Sequence, residues 1–244
     1  MRDLLEDVAS GDRGVEEARR ELEGFTRVDD FARIDVDRRD RGGIPEVVLA
    51  EGKSAHQIRS IATAFLEETD HVILTRLDDD ELAEDLAATA PRADWRPDSG
   101  VLVLRTAAHE PPECDGTVAV VSGGTADVPV ADEAATTARE MGCTVETHYD
   151  VGVAGVHRTL AETREVRRAD SVVVAAGREG ALPTVVAGLV DVPVIGLPVS
   201  VGYGHGGDGE AALKGMLQSC TVLSTVNIDA GFVAGAQAAQ IART

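Results

Sequence analysis

TVAVVSGGTAD, residues Thr117 to Asp127, is the stretch whose reading decides the fold. A short apolar run of β-branched residues stops on a glycine pair, and a helix-like segment with apolar positions at Val130, Ala134, Ala138 and Met141 follows. The unit then repeats. Strands are expected at Val118 to Val121, Thr144 to Tyr149, Ser171 to Ala176, Pro193 to Leu197 and Val222 to Asn227. Helices are expected at Val130 to Met141, Val156 to Arg164, Ala181 to Leu189, Glu210 to Gln218 and Gly231 to Arg243. Strict alternation of this kind implies an α/β fold, a five-stranded parallel sheet with helices on both faces.

Each unusual cluster falls at the carboxyl end of a strand. SGGTAD (Ser122 to Asp127) follows the first, DVGVAGVHR (Asp150 to Arg158) the second and GREGALP (Gly177 to Pro183) the third. VSVGYGHGG (Val199 to Gly207) follows the fourth and NIDAG (Asn227 to Gly231) the fifth. Ligands of open α/β sheets bind at that edge, and helix N-termini there favour anions. A nucleotide or sugar-phosphate site is the expectation.

Upstream, the chain reads as a smaller αβ unit. Two short amphipathic helices are expected in the first 30 residues, punctuated by Gly11 and Gly24, with Leu4, Leu5 and Val8 on one face. A strand at Glu46 to Ala50, a helix capped by Ser54 and running to Glu68, a strand at His71 to Arg76, an acidic helix near Asp80 to Ala90 and a strand at Val101 to Arg105 follow. HEPPECDG (His109 to Gly116), with paired prolines, is the expected linker. The division is therefore an N-terminal domain over 1–115 and a catalytic domain over 117–244. Arg33, Arg38, Arg39 and Arg41 form either a salt-bridged surface or an anion site, since guanidinium matches phosphate and carboxylate.

Composition excludes several classes of function. With 23 basic and 43 acidic side chains among 244 residues, the formal charge of -20 argues against a general nucleic-acid binder. No apolar run approaches the ~20 residues of a membrane span, and the acidic start has no signal-peptide core. Aromatics are only 3%, so the core is expected to be Val, Ala, Leu and Ile. Three irregularly spaced cysteines, Cys114, Cys143 and Cys220, make neither a disulfide framework nor a CxxC site, and a reducing cytoplasm is the default. Acidic excess with lysine only at positions 53 and 214 matches a salt-adapted protein, which would lose structure in low salt.

The strings SGGTADVPVADEA, YDVGVAGVHR, REGALPTVVAGLVDVPVIGLPVSVGYG, MLQSC and NIDAGF resemble the LarB family, pyridinium-3,5-biscarboxylic acid mononucleotide synthases of nickel-pincer cofactor synthesis. The catalytic half is similar to aminoimidazole ribonucleotide (AIR) carboxylase, with Thr125 to Asp127 and His157 to Leu160 on its two motifs. The resemblance spans Phe31 to the C-terminus. It implies a flavodoxin-like, PurE-like sheet and an octamer-type homo-oligomer. Val36, Asp37, Arg178, Gln218 and Val199 depart from the family's usual residues.

The implied reaction carboxylates nicotinic acid adenine dinucleotide at C5 of its pyridinium ring and cleaves the phosphoanhydride, releasing AMP. Carbon dioxide or bicarbonate is co-substrate, and Mg2+ is expected to screen the phosphates, with Asp127, Glu133, Asp208 and Asp229 available as ligands. Cys220 is the nucleophile that turns the electron-poor ring into a dienamine. Glu179 is the first candidate for the base that removes the C5 proton and Asp127 the second, although Asp127 also suits helix capping. His157 and Arg158 suit carboxylate positioning.

Substrate contacts are expected from Ser122, Gly123, Gly124, Thr125, Asp150, Gly155, Gly177, Gly180, Ser200, Gly202, Tyr203, Gly204, Lys214, Asn227 and Asp229. For Cys220 the ordinary alternative is a buried inert thiol, and for Lys214 a surface charge. A thiol closing the helix from Glu210 would feel the negative end of its dipole, so its reactivity is expected to depend on the substrate's cation. An AIR carboxylase or mutase, which needs no cysteine, and a non-catalytic nucleotide-binding domain are the competing functions.

Overall fold

The computed structural model describes residues 2–15, 18, 24–36, 38–202 and 205–243. The chain divides into two compact units, Met1–His109 and Glu110–Thr244.

In the first unit, helix α1 (Arg2–Ser10) precedes an antiparallel hairpin, β1 (Thr26–Val28) with β2 (Ala32–Ile34), and a short helix α2 (Arg38–Gly42). The expected second helix falls largely outside the described residues, and the hairpin is a correction: its strands are too short to show an alternation in sequence. A mixed sheet of β3 (Val47–Leu49), β4 (His71–Thr75), β5 (Arg92–Arg96) and β6 (Val101–Arg105) is ordered β3-β4-β6-β5. Strand β5 was not expected, because RADWR is mostly polar and lies at the sheet edge, antiparallel to β6. Helix α3 (Ala55–Glu68) begins with a reciprocal capping box between Ser54 and Gln57 and buries Ile58, Ile61, Ala62 and Phe65. These side chains, with Leu82 and Leu86 of α4 (Asp80–Thr89), cover Val72, Leu74, Leu102 and Leu104.

Two of the four arginines are paired with acids nearby. Arg38 lies 3.3 Å from Glu46, Arg41 lies 2.5 Å from Asp35, and Arg33 stacks over Phe25. Arg39's side chain is outside the described residues. These pairs support the salt-bridged reading at Arg38 and Arg41.

The second unit is the expected parallel sheet. Strands β7 (Thr117–Ser122), β8 (Thr144–His148), β9 (Ser171–Ala176), β10 (Val194–Pro198) and β11 (Ser224–Thr225) are ordered β8-β7-β9-β10-β11, all parallel. The last strand is only two residues long, against six expected. β7 and β9 are buried between helices on both faces, which is why they read as unbroken apolar runs. One face carries α6 (Val156–Val166), α7 (Ala181–Ala187) and α8 (Glu210–Leu217) over Ala119, Val121, Val172 and Val174. The other carries α5 (Val128–Glu140) and α9 (Gly231–Ala242).

Helix α9 corrects one expectation. Its Ala/Gly face, which includes Ala234, Gly235, Ala238 and Ala239, is buried against α5 of the same chain rather than left for a neighbour. A methyl group at Gly235 would collide with the carbonyl oxygen of Ala134. Gly235→Ala is expected to destabilise the unit by about 2 kcal/mol, the cost of overpacking, and to lower Tm by about 4–8 °C. Thermal denaturation followed by circular dichroism measures it.

The segment 110–116 is not a free linker. Thr144 N–H donates to Gly116 O at 3.0 Å, and Gly142 packs on the Pro112 carbonyl. Cys114 Sγ and Cys143 Sγ come within 3.0 Å, a pairing that their sequence spacing does not show.

Candidate active site

The strand order reverses between β7 and β9, and the loops after these two strands diverge to opposite faces. This is the switch point at which doubly wound sheets bind ligands. Asp127 fills it. Its Oδ2 accepts the Gly124 N–H at 2.8 Å and its Oδ1 accepts the Gly177 N–H at 3.1 Å, tying the loop after β7 to the loop after β9. Burial raises the Asp127 carboxyl above the ordinary carboxylate value, against the two amides, which lower it.

Neighbouring loops are linked in the same way along the whole edge. Ser122 Oγ accepts the Asp150 N–H at 3.1 Å, and Val151 N–H donates to Ser122 O at 3.0 Å. Asp229 Oδ1 accepts the Ser200 N–H at 2.8 Å, joining the last two loops. At Gly152 and Gly177 a side chain would strike the carbonyl oxygens of Gly123 and Val201, so backbone from adjacent loops can touch only because these residues are glycine. Ser122, Gly123, Gly124, Asp127, Asp150, Gly177, Ser200 and Asp229 are thus brought together at one edge.

Backbone strain collects there too. Asp150, Arg178, Asp208 and Asp229 have φ between 53° and 57°, a left-handed conformation uncommon outside glycine. Glu179 is exposed between Arg178 and Gly180, both left-handed, rather than enclosed in the apolar pocket expected.

The remaining candidates separate. Thr125, His157, Gly202 and Asn227 are exposed at the same edge, and Gly155 packs on the side chains of His157 and Arg158. Arg158 is tied to Asp150, through its carboxylate at 2.9 Å and its carbonyl oxygen. Lys214 pairs with Glu210 at 2.5 Å on the exposed face of α8, the surface-charge reading. Tyr203 and Gly204 lie outside the described residues.

Cys220 is exposed, which overturns the inert buried alternative. It also lies three residues past the end of α8, so it does not close the helix. Helix α8 runs away from the loop edge. Ser219 Oγ contacts Thr184 Oγ1 at 2.9 Å, and Thr221 lies beside Gly188 at the far end of α7. Within one chain the thiol is therefore not among the loops around Asp127. Cys143 is the opposite case, buried and pushed up to about 12 by burial and by Cys114.

The carboxylates expected to hold Mg2+ do not form a set. Asp127 and Asp229 accept backbone amides, Glu133 is buried beside Gly231, and Asp208 is exposed. Among the described residues, the metal-competent group of three is elsewhere, at Asp70, His71 and His109. No residue pattern in the loops signals that second group, and neither histidine stood out in the sequence.

Comparison with known proteins agrees with this layout. Residues 25–106 match the LarB/PurE-like N-terminal domain, and residues 117–244 match the AIR carboxylase family. An uncharacterized protein of Methanocaldococcus jannaschii is 34% identical over 252 residues, covering 100% of this chain and 97% of its own length. The N5-carboxyaminoimidazole ribonucleotide mutase of Pyrococcus abyssi is 32% identical over 46% of this chain and 65% of its own. That of Thermotoga maritima is 31% identical over 51% and 73%. The crystal structure of Treponema denticola PurE is 20% identical, with a TM-score of 0.41 over 52% of this chain and 77% of that one. No helix among the described residues is long and apolar enough to cross a membrane. With its N-terminal unit matched by one family model and its parallel sheet by the other, the chain belongs to the LarB family and carries an AIR carboxylase domain.

Proposed function

We propose that the protein carboxylates the pyridinium ring of nicotinic acid adenine dinucleotide at C5 and hydrolyses the phosphoanhydride, yielding pyridinium-3,5-biscarboxylic acid mononucleotide and AMP, the first step of nickel-pincer cofactor synthesis. The observation that carries this reading over the mutase reading is the thiol inventory. Cys143 is buried and its proton firmly held, Cys114 lies against it, and Cys220 alone of the three is exposed. The mutase reading leaves that exposed thiol without a use.

The Cys220 thiolate forms a bond to C6, and the ring nitrogen takes up the displaced electron pair. The dienamine so formed is nucleophilic at C5, which bonds to the carbon of carbon dioxide. Glu179 removes the C5 proton, the electron pair restores the aromatic ring, and the thiolate leaves. Water then cleaves the phosphoanhydride. Arg158 and His157 sit beside the loop of Asp150 and would position a carboxylate. Asp127 and Asp229 are engaged by backbone amides and Asp208 is exposed, so the loop carboxylates do not form a ready-made Mg2+ site. Bound with the dinucleotide, Mg2+ would hold phosphate oxygens and screen their charge.

The reading also requires a homo-oligomer. Because α8 carries Cys220 away from the switch-point loops of its own chain, the thiol would serve the loops of a second copy.

Supplying the protein with bicarbonate and either nicotinic acid adenine dinucleotide or aminoimidazole ribonucleotide separates the two enzymatic readings. Only the dinucleotide is expected to be consumed. Turnover of the ribonucleotide alone would establish an AIR carboxylase function instead, turnover only of its N5-carboxy derivative would establish a mutase, and binding without turnover of any of these would leave a nucleotide-binding domain.

A further inference from the structure

Asp70, His71 and His109 stand together in the first unit, outside the site described above. The two imidazoles are nearly fully buried, at 4% and 3% exposure, and stack with centroids 4.6 Å apart. The carboxylate of Asp70 lies across them, with Oδ1 3.2 Å from His71 Nδ1 and Oδ2 3.0 Å from His109 Nδ1. One donor atom from each residue falls within 4.8 Å of the others.

Hydrophobic packing does not explain this arrangement. Neither ring nitrogen of buried His109 makes a hydrogen bond, since the short approach of Nδ1 to Asp70 has the wrong geometry for one. A buried polar atom without a hydrogen bond is costly, and on His109 only Nδ1 has a charged neighbour, the Asp70 carboxylate, an arrangement that a bound cation would complete. The backbone around the group is held on several sides. Thr69 Oγ1, with its single proton, lies 2.7 Å from the carbonyl oxygen of Phe65 and 3.0 Å from that of His71. Thr106 N–H donates to Asp70 O at 2.9 Å, and Arg92 donates to the carbonyls of Thr106 at 3.0 Å and His109 at 2.5 Å.

Two imidazoles and one carboxylate are the donor set of zinc-class divalent ions. Magnesium and calcium prefer oxygen ligands throughout. Donors around a tetrahedral zinc lie about 3.4 Å apart, from metal–nitrogen bonds of about 2.1 Å, so small side-chain movements suffice. A cavity of about 180 Å³ lined by Asp35, Glu46, Glu68, Asp70 and His71 adjoins the group. We propose that Asp70, His71 and His109 bind one zinc-class divalent cation, which pins the segment leaving β6 to the junction of α3 and β4.

The test uses the full-length protein, stripped with a chelator and titrated with Zn2+ by calorimetry and with Co2+ by visible absorption. One tight equivalent is expected, with a rise in Tm of several degrees. His109→Gln and His71→Asn are each expected to weaken it by more than about 100-fold, beyond the 10–100-fold typical of an outer partner. Cys220→Ala is expected to leave it intact. His109 lies in a loop, so its variant keeps the test decisive if substitution on β4 impairs folding. No tight equivalent, retention of the ion by the folded His109 variant, or a thiolate-to-cobalt charge-transfer band would overturn the assignment.

Discussion

Cys220→Ala is expected to abolish carboxylated product, lowering turnover by about 10⁴-fold or more, the scale on which covalent catalysis fails when its nucleophile is removed. The side chain is exposed and past the end of α8, so its loss removes no packing and Tm should be unchanged. The same variant tests where the thiol acts. If Cys220 of one copy serves the loops of another, co-assembled Cys220→Ala and Glu179→Gln chains regain activity. In one-to-one mixed oligomers about a quarter of the sites draw intact residues from both partners, so about a quarter of the wild-type rate should return. Were thiol and carboxylate drawn from the same chain, every site would carry one defect and nothing would return.

The second large effect is a contrast between two carboxylates. Glu179→Gln is expected to lower turnover by about 10²–10⁴-fold, the worth of a general base, with no change in stability because the side chain is exposed. Asp127→Asn should differ. Its two oxygens accept separate amides, from Gly124 and Gly177, and an Asn side chain has only one acceptor. One amide is left unpaired at a cost of about 1–3 kcal/mol, and the two loops at the switch point loosen. The pH dependence has a definite sign. Because burial raises the folded-state value of Asp127, the folded protein holds this proton more tightly than the unfolded chain does. Its contribution to stability is therefore full below the ordinary carboxylate value of 3.8 and is lost as pH rises through the raised one. Wild type should lose stability over that window relative to Asp127→Asn. Denaturant melts at several pH values, set beside the rate measurements, separate the two roles.

The parallel sheet was legible because its strands are buried on both faces. Val118–Val121 and Val172–Ala176 are apolar throughout, and a glycine follows each within two residues. What escaped notice lacks that signal. The hairpin strands of three residues are too short for a period to register, and β5 is polar because it lies at an edge. The last strand was overestimated because Val222 to Asn227 reads as a continuous β segment, whereas Val222 is 95% exposed and only Ser224 and Thr225 pair.

The candidate site was legible as a set of loops but not as an arrangement. Glycines mark the carboxyl edge, yet nothing in the sequence shows that Asp127 bridges two loops while Asp229 caps a third. Lys214 appeared beside the glycine-rich run, but its helical register places it against Glu210. Cys220 posed the same difficulty in reverse. Its candidacy as a nucleophile came from the resemblance of its neighbouring strings, and its distance from the loops follows only from the direction of α8. The three residues Asp70, His71 and His109 illustrate the limit most plainly, since 37 intervening residues separate the histidines in sequence, and the antiparallel pairing of β4 with β6 brings them together.

The most direct test of the proposed chemistry is one reaction with isotopically labelled bicarbonate, followed by mass spectrometry of every product formed from nicotinic acid adenine dinucleotide. The expected result is AMP and a mononucleotide bearing one labelled carboxyl group, in equal amounts. AMP released together with an unlabelled mononucleotide would contradict it, because the phosphoanhydride would then be cleaved without any carbon–carbon bond being made.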